Sequence, residues 1–148
     1  MGNIRDIIHL TVKTLDLAAT EKFYTEILQM KSAPRPDLGF PGLWMDLNGT
    51  QVHILAGEAA LNAEGQFTSG SGAIDHVALS ANNFDEMKKV VAEFDCEFRE
   101  NNIQHADLWQ IFVKDPSDVV FELNFIISEE PEGAIGPDPA NQYFPGKF

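Results

Sequence analysis

Chemistry in this 148-residue chain has few carriers. The four histidines are His9, His53, His76 and His105, and the first three fall inside short apolar or β-branched stretches, residues 7–12, 52–55 and 74–80. Glu122 lies in the middle of an equally apolar run, residues 119–125. Side chains alternate across a strand, so His9 shares a face with Ile7 and Thr11, while Ile8, Leu10 and Val12 form the opposite, helix-packing face. The same construction places His53 with Gln51 and Leu55, and Glu122 with Val120 and Asn124. A carboxylate in such a strand costs several kcal/mol unless it is paired, hydrogen-bonded or bound to a cation. Three imidazoles and one carboxylate suit a divalent cation: Zn2+, Fe2+, Ni2+, Co2+ or Mn2+.

Any one of these histidines, taken alone, reads as a half-buried strand residue satisfied by a hydrogen bond. The constellation reads otherwise, because its members recur. His9 to His76 is an offset of 67 residues, and residues 52–55 fall on residues 121–124 at an offset of 69, so the chain repeats itself with His53 opposite Glu122. In the first half, Asp16 precedes a helix-period run carrying Leu17, Phe23, Tyr24, Ile27 and Leu28. A loop at residues 34–37 follows, then two apolar stretches joined by Asn48-Gly49, a hairpin signal. After a Gly/Ser break at residues 68–72 the order returns: a strand at 74–80, a helix over 84–94, a short strand near 97–99, and residues 109–113 and 119–125 around an Asp115-Pro116 turn. The fold expected is α+β, with modules at about 4–65 and 73–127 and an acidic Pro/Gly-containing tail at 128–148. Tyr143, Phe144 and Phe148 are the apolar anchors by which that tail would dock on the domain or a partner.

Composition narrows the partners. Ten Lys+Arg against 23 Asp+Glu give a net charge of −13, which repels nucleic-acid phosphates and anionic lipid. No run of 18 apolar residues is free of charge, and the first residues lack the pattern of a secretory leader, so a soluble protein is expected. The single cysteine, Cys96, forms no internal disulfide and points to a reducing, cytoplasmic compartment. The partner expected is a small molecule. Arg35, Phe40 and Trp44 in or after the first module's loop, and His105 and Trp109 in the second, are candidates for the substrate wall, Arg35 for a carboxylate and His105 for proton transfer. Each also fits a plain loop or packing role.

The chain over residues 7–125 resembles the vicinal oxygen chelate superfamily, which includes glyoxalase I, fosfomycin and bleomycin resistance proteins, extradiol dioxygenases and methylmalonyl-CoA epimerase. The resemblance is carried by the Phe23-Tyr24 helix, the Ile74-Asp75-His76-Val77-Ala78 strand and the Asp115-Pro116 turn leading to Phe121-Glu122-Leu123. It implies two βαβββ modules forming an open curved barrel around a central metal, commonly in a homodimer. Ligand positions on the first and last strands of each module correspond to His9, His53, His76 and Glu122. Bacterial glyoxalase I is similar but carries a glutamate where this sequence has His53. Extradiol dioxygenases hold Fe(II) with two histidines and one glutamate. The expectation is therefore a metal-dependent lyase or isomerase of glyoxalase-like type, with a ring-cleaving dioxygenase and a metal-free bleomycin-resistance-like binding protein as alternatives. His9, His76 and Glu122 lead the ligand set. His53 is the fourth ligand or, with Glu122 and His105, a proton-transfer group.

Overall fold

The Gly/Ser break near residue 70 divides the chain into two compact units, Met1–Ser69 and Gly70–Phe148, and the structure, a computed structural model, describes residues 2–148. In the first unit, β1 (His9–Lys13), α1 (Leu17–Glu26), β2 (Lys31–Ala33), β3 (Gly42–Leu47) and β4 (Thr50–Leu55) form a βαβββ module. Its sheet has the order β1-β4-β3-β2, with β1 parallel to β4 and the other pairs antiparallel. Asp16 starts α1 by accepting from the Ala19 amide at 2.9 Å, satisfying one of the helix's orphan donors. Phe23 and Tyr24 of the helix and Ile27 and Leu28 just past its end are buried, as are Val12, Met45, Val52 and Ile54 of the sheet. The turn between β3 and β4 sets Asn48 and Gly49 at positive φ, 51° and 94°, the primed geometry whose twist matches a hairpin.

Several boundaries differ from the sequence expectation: the strand expected at 74–80 is Val77–Ala81, with His76 ahead of it and Ile74 69% exposed, and the short strand expected near 97–99 runs Phe98–Ile103. Pairing of β1 with β4 begins at His9, opposite Gln51, so Ile7 and Ile8 lie ahead of the strand, 90% and 72% exposed. β2 went unread because Lys31-Ser32-Ala33 is too short and polar to show alternation; its partner β3 selects it.

The second unit repeats the module with β5 (Val77–Ala81), α2 (Phe84–Glu93), β6 (Phe98–Ile103), β7 (Leu108–Lys114) and β8 (Val120–Ile126), in the order β5-β8-β7-β6. Phe121, Leu123 and Phe125 of β8 and Trp109, Ile111 and Val113 of β7 are buried on the α2 side, with Phe84 and Val91 of the helix. The Asp115 carboxylate accepts from the Ser117 and Val119 amides at 2.8 and 2.9 Å, which closes the turn into β8.

Residues 128–148 do not hang free. Glu130 accepts from the Phe84 amide at 2.7 Å, capping α2 where its own Asn83 makes no side-chain cap. Asp85 accepts from the amides of Ile135 and Gly136 at 2.6 and 3.0 Å. Glu100 of β6, 1% exposed, binds Lys88 Nζ at 2.8 Å and Asn141 Nδ2 at 3.2 Å. The chain then runs parallel to the β6 edge, Tyr143 donating its amide to the Glu100 carbonyl at 2.9 Å. Of the expected anchors, Tyr143 is buried and Phe148 lies under the Lys114 ammonium, whereas Phe144 does not dock on its own unit: it is 54% exposed, since the backbone bond that turns Tyr143 inward turns its neighbour out. Among the described residues no helix is long and apolar enough to cross a membrane.

Candidate functional site

In the first unit the polar groups of β1, β3 and β4 stand on the face that α1 leaves free. Trp44 pairs with His53 across β3 and β4, and their rings stack at 4.1 Å with 3° between planes. The His9 ring stacks on the other side of His53 at 3.9 Å. His53 Nε2 lies 2.9 Å from Gln51 Oε1, an acceptor, so Nε2 carries a proton. Burial, then the neighbouring His9 and the positive charge of Arg35, pushes the His53 imidazole below its ordinary value. Arg35 donates to the Phe40 carbonyl at 3.0 Å and lies over the Phe40 ring at 5.0 Å. It can lie there because Gly42 has no side chain: a Cβ would run into the Ile54 carbonyl and crowd the guanidinium.

In the second unit the corresponding face carries a shorter and tighter arrangement. β5 pairs with β8 so that Ala78 stands opposite Glu122, and His76, two residues before Ala78, projects to the same side. Its Nε2 is 2.8 Å from Glu122 Oε2, and its Nδ1 is 2.7 Å from Asp75 Oδ2. The other Glu122 oxygen accepts from Asn124 Nδ2 at 2.7 Å, and Asn124 Oδ1 accepts from Gln110 Nε2 at 3.0 Å. The Phe112 ring stands perpendicular to the His76 ring at 5.6 Å and stacks flat on Tyr143 at 3.7 Å. Burial, reinforced by the Asp75 carboxylate, raises the Tyr143 phenol above its ordinary value, so its hydroxyl stays a donor.

Both His76 nitrogens thus face carboxylate oxygens. A neutral imidazole carries one proton; with it directed at Asp75, the Nε2 lone pair confronts Glu122, and only a cation relieves that contact, a second proton or a metal ion. An imidazole whose far nitrogen is held by a carboxylate, beside a carboxylate whose far oxygen is held by an amide, is a donor pair of the kind that binds divalent metals. The residues therefore fit such an ion. Among the described residues, no group of three or more His, Cys, Asp or Glu side chains is placed to hold a metal.

The sequence candidates fall accordingly. His9, His53 and Trp44 are in ring contact, Arg35 and Phe40 are in contact with each other, and His76 meets Glu122. Trp109 does not frame the substrate wall: β7's alternation turns it toward α2, where it packs edge to face on Phe84 and against Gly136. His105 is exposed in a one-turn 3-10 helix after β6, at the end of the sheet where Ile103, Leu108 and Ile126 pair, opposite to the end that holds His76. A proton-transfer role beside Glu122 does not follow from that position. Asp75, Asn124 and Gln110 were missed as site residues. Two carried a signal, Asp75 by standing next to His76 and Asn124 by sharing the Glu122 face at a spacing of two.

Solved structures share this fold. A glyoxalase family protein from Bacillus anthracis superposes with a TM-score of 0.64 at 21% identity, covering 85% of this chain and 98% of its own. The fosfomycin resistance protein FosX from Listeria monocytogenes gives a TM-score of 0.66 at 18% identity, over 83% of this chain and 94% of its own. A glutamate-to-glutamine mutant of that FosX was solved with Mn(II) and 1S,2S-dihydroxypropylphosphonic acid. Lactoylglutathione lyase from Agrobacterium tumefaciens gives 0.61 at 14% identity, over 84% and 96%. No curated protein matches the sequence. The family model described as Glyoxalase/Bleomycin resistance protein/Dioxygenase superfamily matches residues 6–123, and with both βαβββ modules in place the chain belongs to that superfamily.

Proposed function

We propose that the chain is a divalent-metal-dependent enzyme, a lyase or isomerase of glyoxalase-like type, acting on a small substrate that presents two neighbouring oxygens. The observation that carries this reading is the 2.8 Å contact between His76 Nε2 and Glu122 Oε2, each held from behind by Asp75 and Asn124. The ligands proposed within the second unit are His76 and Glu122, and the first unit's candidates at the repeat-equivalent positions are His9 and His53. A divalent cation held there supplies Lewis-acid stabilisation to an anion forming on the substrate oxygens. Glu122, as the buried carboxylate, is also the group able to take a proton from a bound substrate. Asp75 fixes the His76 ring and its tautomer. Within the first unit, the flat Trp44–His53 stack and the Arg35 guanidinium are the groups proposed to meet a substrate ring or anionic substituent.

The FosX mutant solved with Mn(II) and a dihydroxypropylphosphonic acid supports a metal and an oxygen-rich substrate, and the lactoylglutathione lyase from Agrobacterium tumefaciens supports lyase chemistry. The test is anaerobic reconstitution with Mn2+, Fe2+, Co2+, Ni2+ and Zn2+, followed by metal analysis and assays with a glutathione hemithioacetal, fosfomycin and catechols. Stoichiometric metal, lost in Glu122→Gln and His76→Ala, with turnover of the hemithioacetal, is the expected result. No metal bound by the folded wild type overturns the reading. Ring cleavage of a catechol in its place moves the chain to the dioxygenase class.

A further inference from the structure

The C-terminal segment takes a course that packing alone does not require. Glu100 is a carboxylate on the α2 side of an edge strand, fully buried and satisfied by Lys88 at 2.8 Å, Asn141 Nδ2 at 3.2 Å and the Asp138 amide at 3.4 Å. Two of those three donors belong to the segment itself. The clamp therefore sets where the chain crosses the β6 edge, and the Tyr143 amide bond to the Glu100 carbonyl sets where the next side chain turns in. That side chain arrives on the opposite face of the sheet, flat on Phe112 at 3.7 Å and 7°. Its hydroxyl stands 3.5 Å from Asp75 Oδ2, the same oxygen that holds His76 Nδ1 at 2.7 Å.

Asp75 needs this help. Its side chain is 68% exposed, and a carboxylate that open to water has no packing to choose its rotamer. The phenol supplies a donor from a ring that is itself locked between Phe112 and the β6 edge. Phe112 also packs perpendicular to the His76 ring, so Tyr143 bears on the imidazole along two paths, through Asp75 and through Phe112.

We propose that Tyr143 is a positioning residue for His76, fixing the imidazole through Asp75 and Phe112, and that the segment from Asp138 to Tyr143 is thereby part of the functional site. The proposal rests on the metal-enzyme reading for its consequence, since an oriented Nε2 matters most as a ligand, but the orientation itself belongs to the metal-free protein. Removing a group that holds a metal-ligating histidine from behind costs about ten- to a hundredfold in metal affinity, and Tyr143 acts one step further out. The expected losses in Co2+ affinity are thus about tenfold or more for Asp75→Asn and about threefold to tenfold for Tyr143→Phe, which keeps the ring stack and removes only the hydroxyl.

The experiment has two arms. Long-range 1H–15N spectra of metal-free protein, with His76 assigned by His76→Gln, report the protonation pattern and ring environment of His76 without any metal or substrate. Competition titration of Co2+, with its visible absorption, reports the ligand geometry. Tyr143→Phe is expected to shift the His76 ring signals and to weaken and broaden the Co2+ transition, while Phe144→Ala, on the exposed neighbour, leaves both as in wild type. Tyr143→Ala should shift the signals further, and if it does not fold, Tyr143→Phe still decides. Wild-type His76 signals in a folded Tyr143→Phe protein overturn the positioning role. A wild type that binds no Co2+ overturns the metal reading instead, and the metal-free spectra still judge Tyr143.

Discussion

The His76 imidazole meets the Glu122 carboxylate because β5 and β8 run parallel with Ala78 opposite Glu122, which leaves His76 just ahead of its own strand, two positions before Ala78 and within side-chain reach of the carboxylate. Neither residue could be paired with the other from periodicity alone. The contact also bears on how β8 carries a carboxylate among Phe121, Leu123 and Phe125: alternation puts Glu122 on the other face, where the Asn124 amide satisfies one oxygen and the His76 imidazole faces the other.

Asn124→Ala should act twice. It frees the Glu122 oxygen held at 2.7 Å and strips the buried Gln110 amide of its acceptor. An unsatisfied buried donor costs about 1–3 kcal/mol, read as a lower urea midpoint. Divalent-metal affinity should fall by about tenfold or more, read by competition titration. A variant matching wild type in both measurements would show that the amide ladder does not hold Glu122.

Lys88→Met should loosen the C-terminal segment. The ammonium is 30% exposed, so its pair with Glu100 is worth less than a dry ion pair, and the expected loss is about 1–2 kcal/mol. Hydrogen exchange at the Tyr143 amide, which donates to the Glu100 carbonyl, should quicken in step with that loss. Unchanged protection there would mean that Asn141 and Asp138 suffice as the clamp.

Cys96 should resist thiol reagents. Burial, then the nearby carboxylates of Asp95 and Asp115, raises the thiol above its ordinary value. The folded pKa being the higher, the thiol's contribution to stability is complete below the unfolded value and is lost as pH rises through the folded one. Iodoacetamide labelling of native protein should therefore reach its half-maximal rate at a higher pH than labelling in urea. Coincident pH profiles would refute the shift.

A homodimer is expected from the first unit. β1 is an edge strand of its sheet, and Ile7 and Ile8 immediately before it are exposed. Light scattering at micromolar concentration should give twice the chain mass, and Ile8→Lys should shift it toward one. A monomeric wild type removes the proposal.

The sequence by itself determined the two modules, because their elements are encoded locally: Asp16 as a helix cap, Asn48-Gly49 as a primed turn, Asp115 as a turn acceptor, and period-two alternation that separates His53 and Glu122 from their apolar neighbours. It also showed the duplication, since an offset between His9 and His76 is arithmetic on the chain. β2 was hidden, being three residues whose strand character comes from pairing with β3. The side on which Trp109 lies, the remoteness of His105, and the joining of Asp75, His76, Glu122 and Tyr143 were decided only by tertiary structure. Those relationships depend on strand register and on where an edge strand captures a distant segment, and both are set by pairing between residues far apart in the chain, which no local pattern encodes.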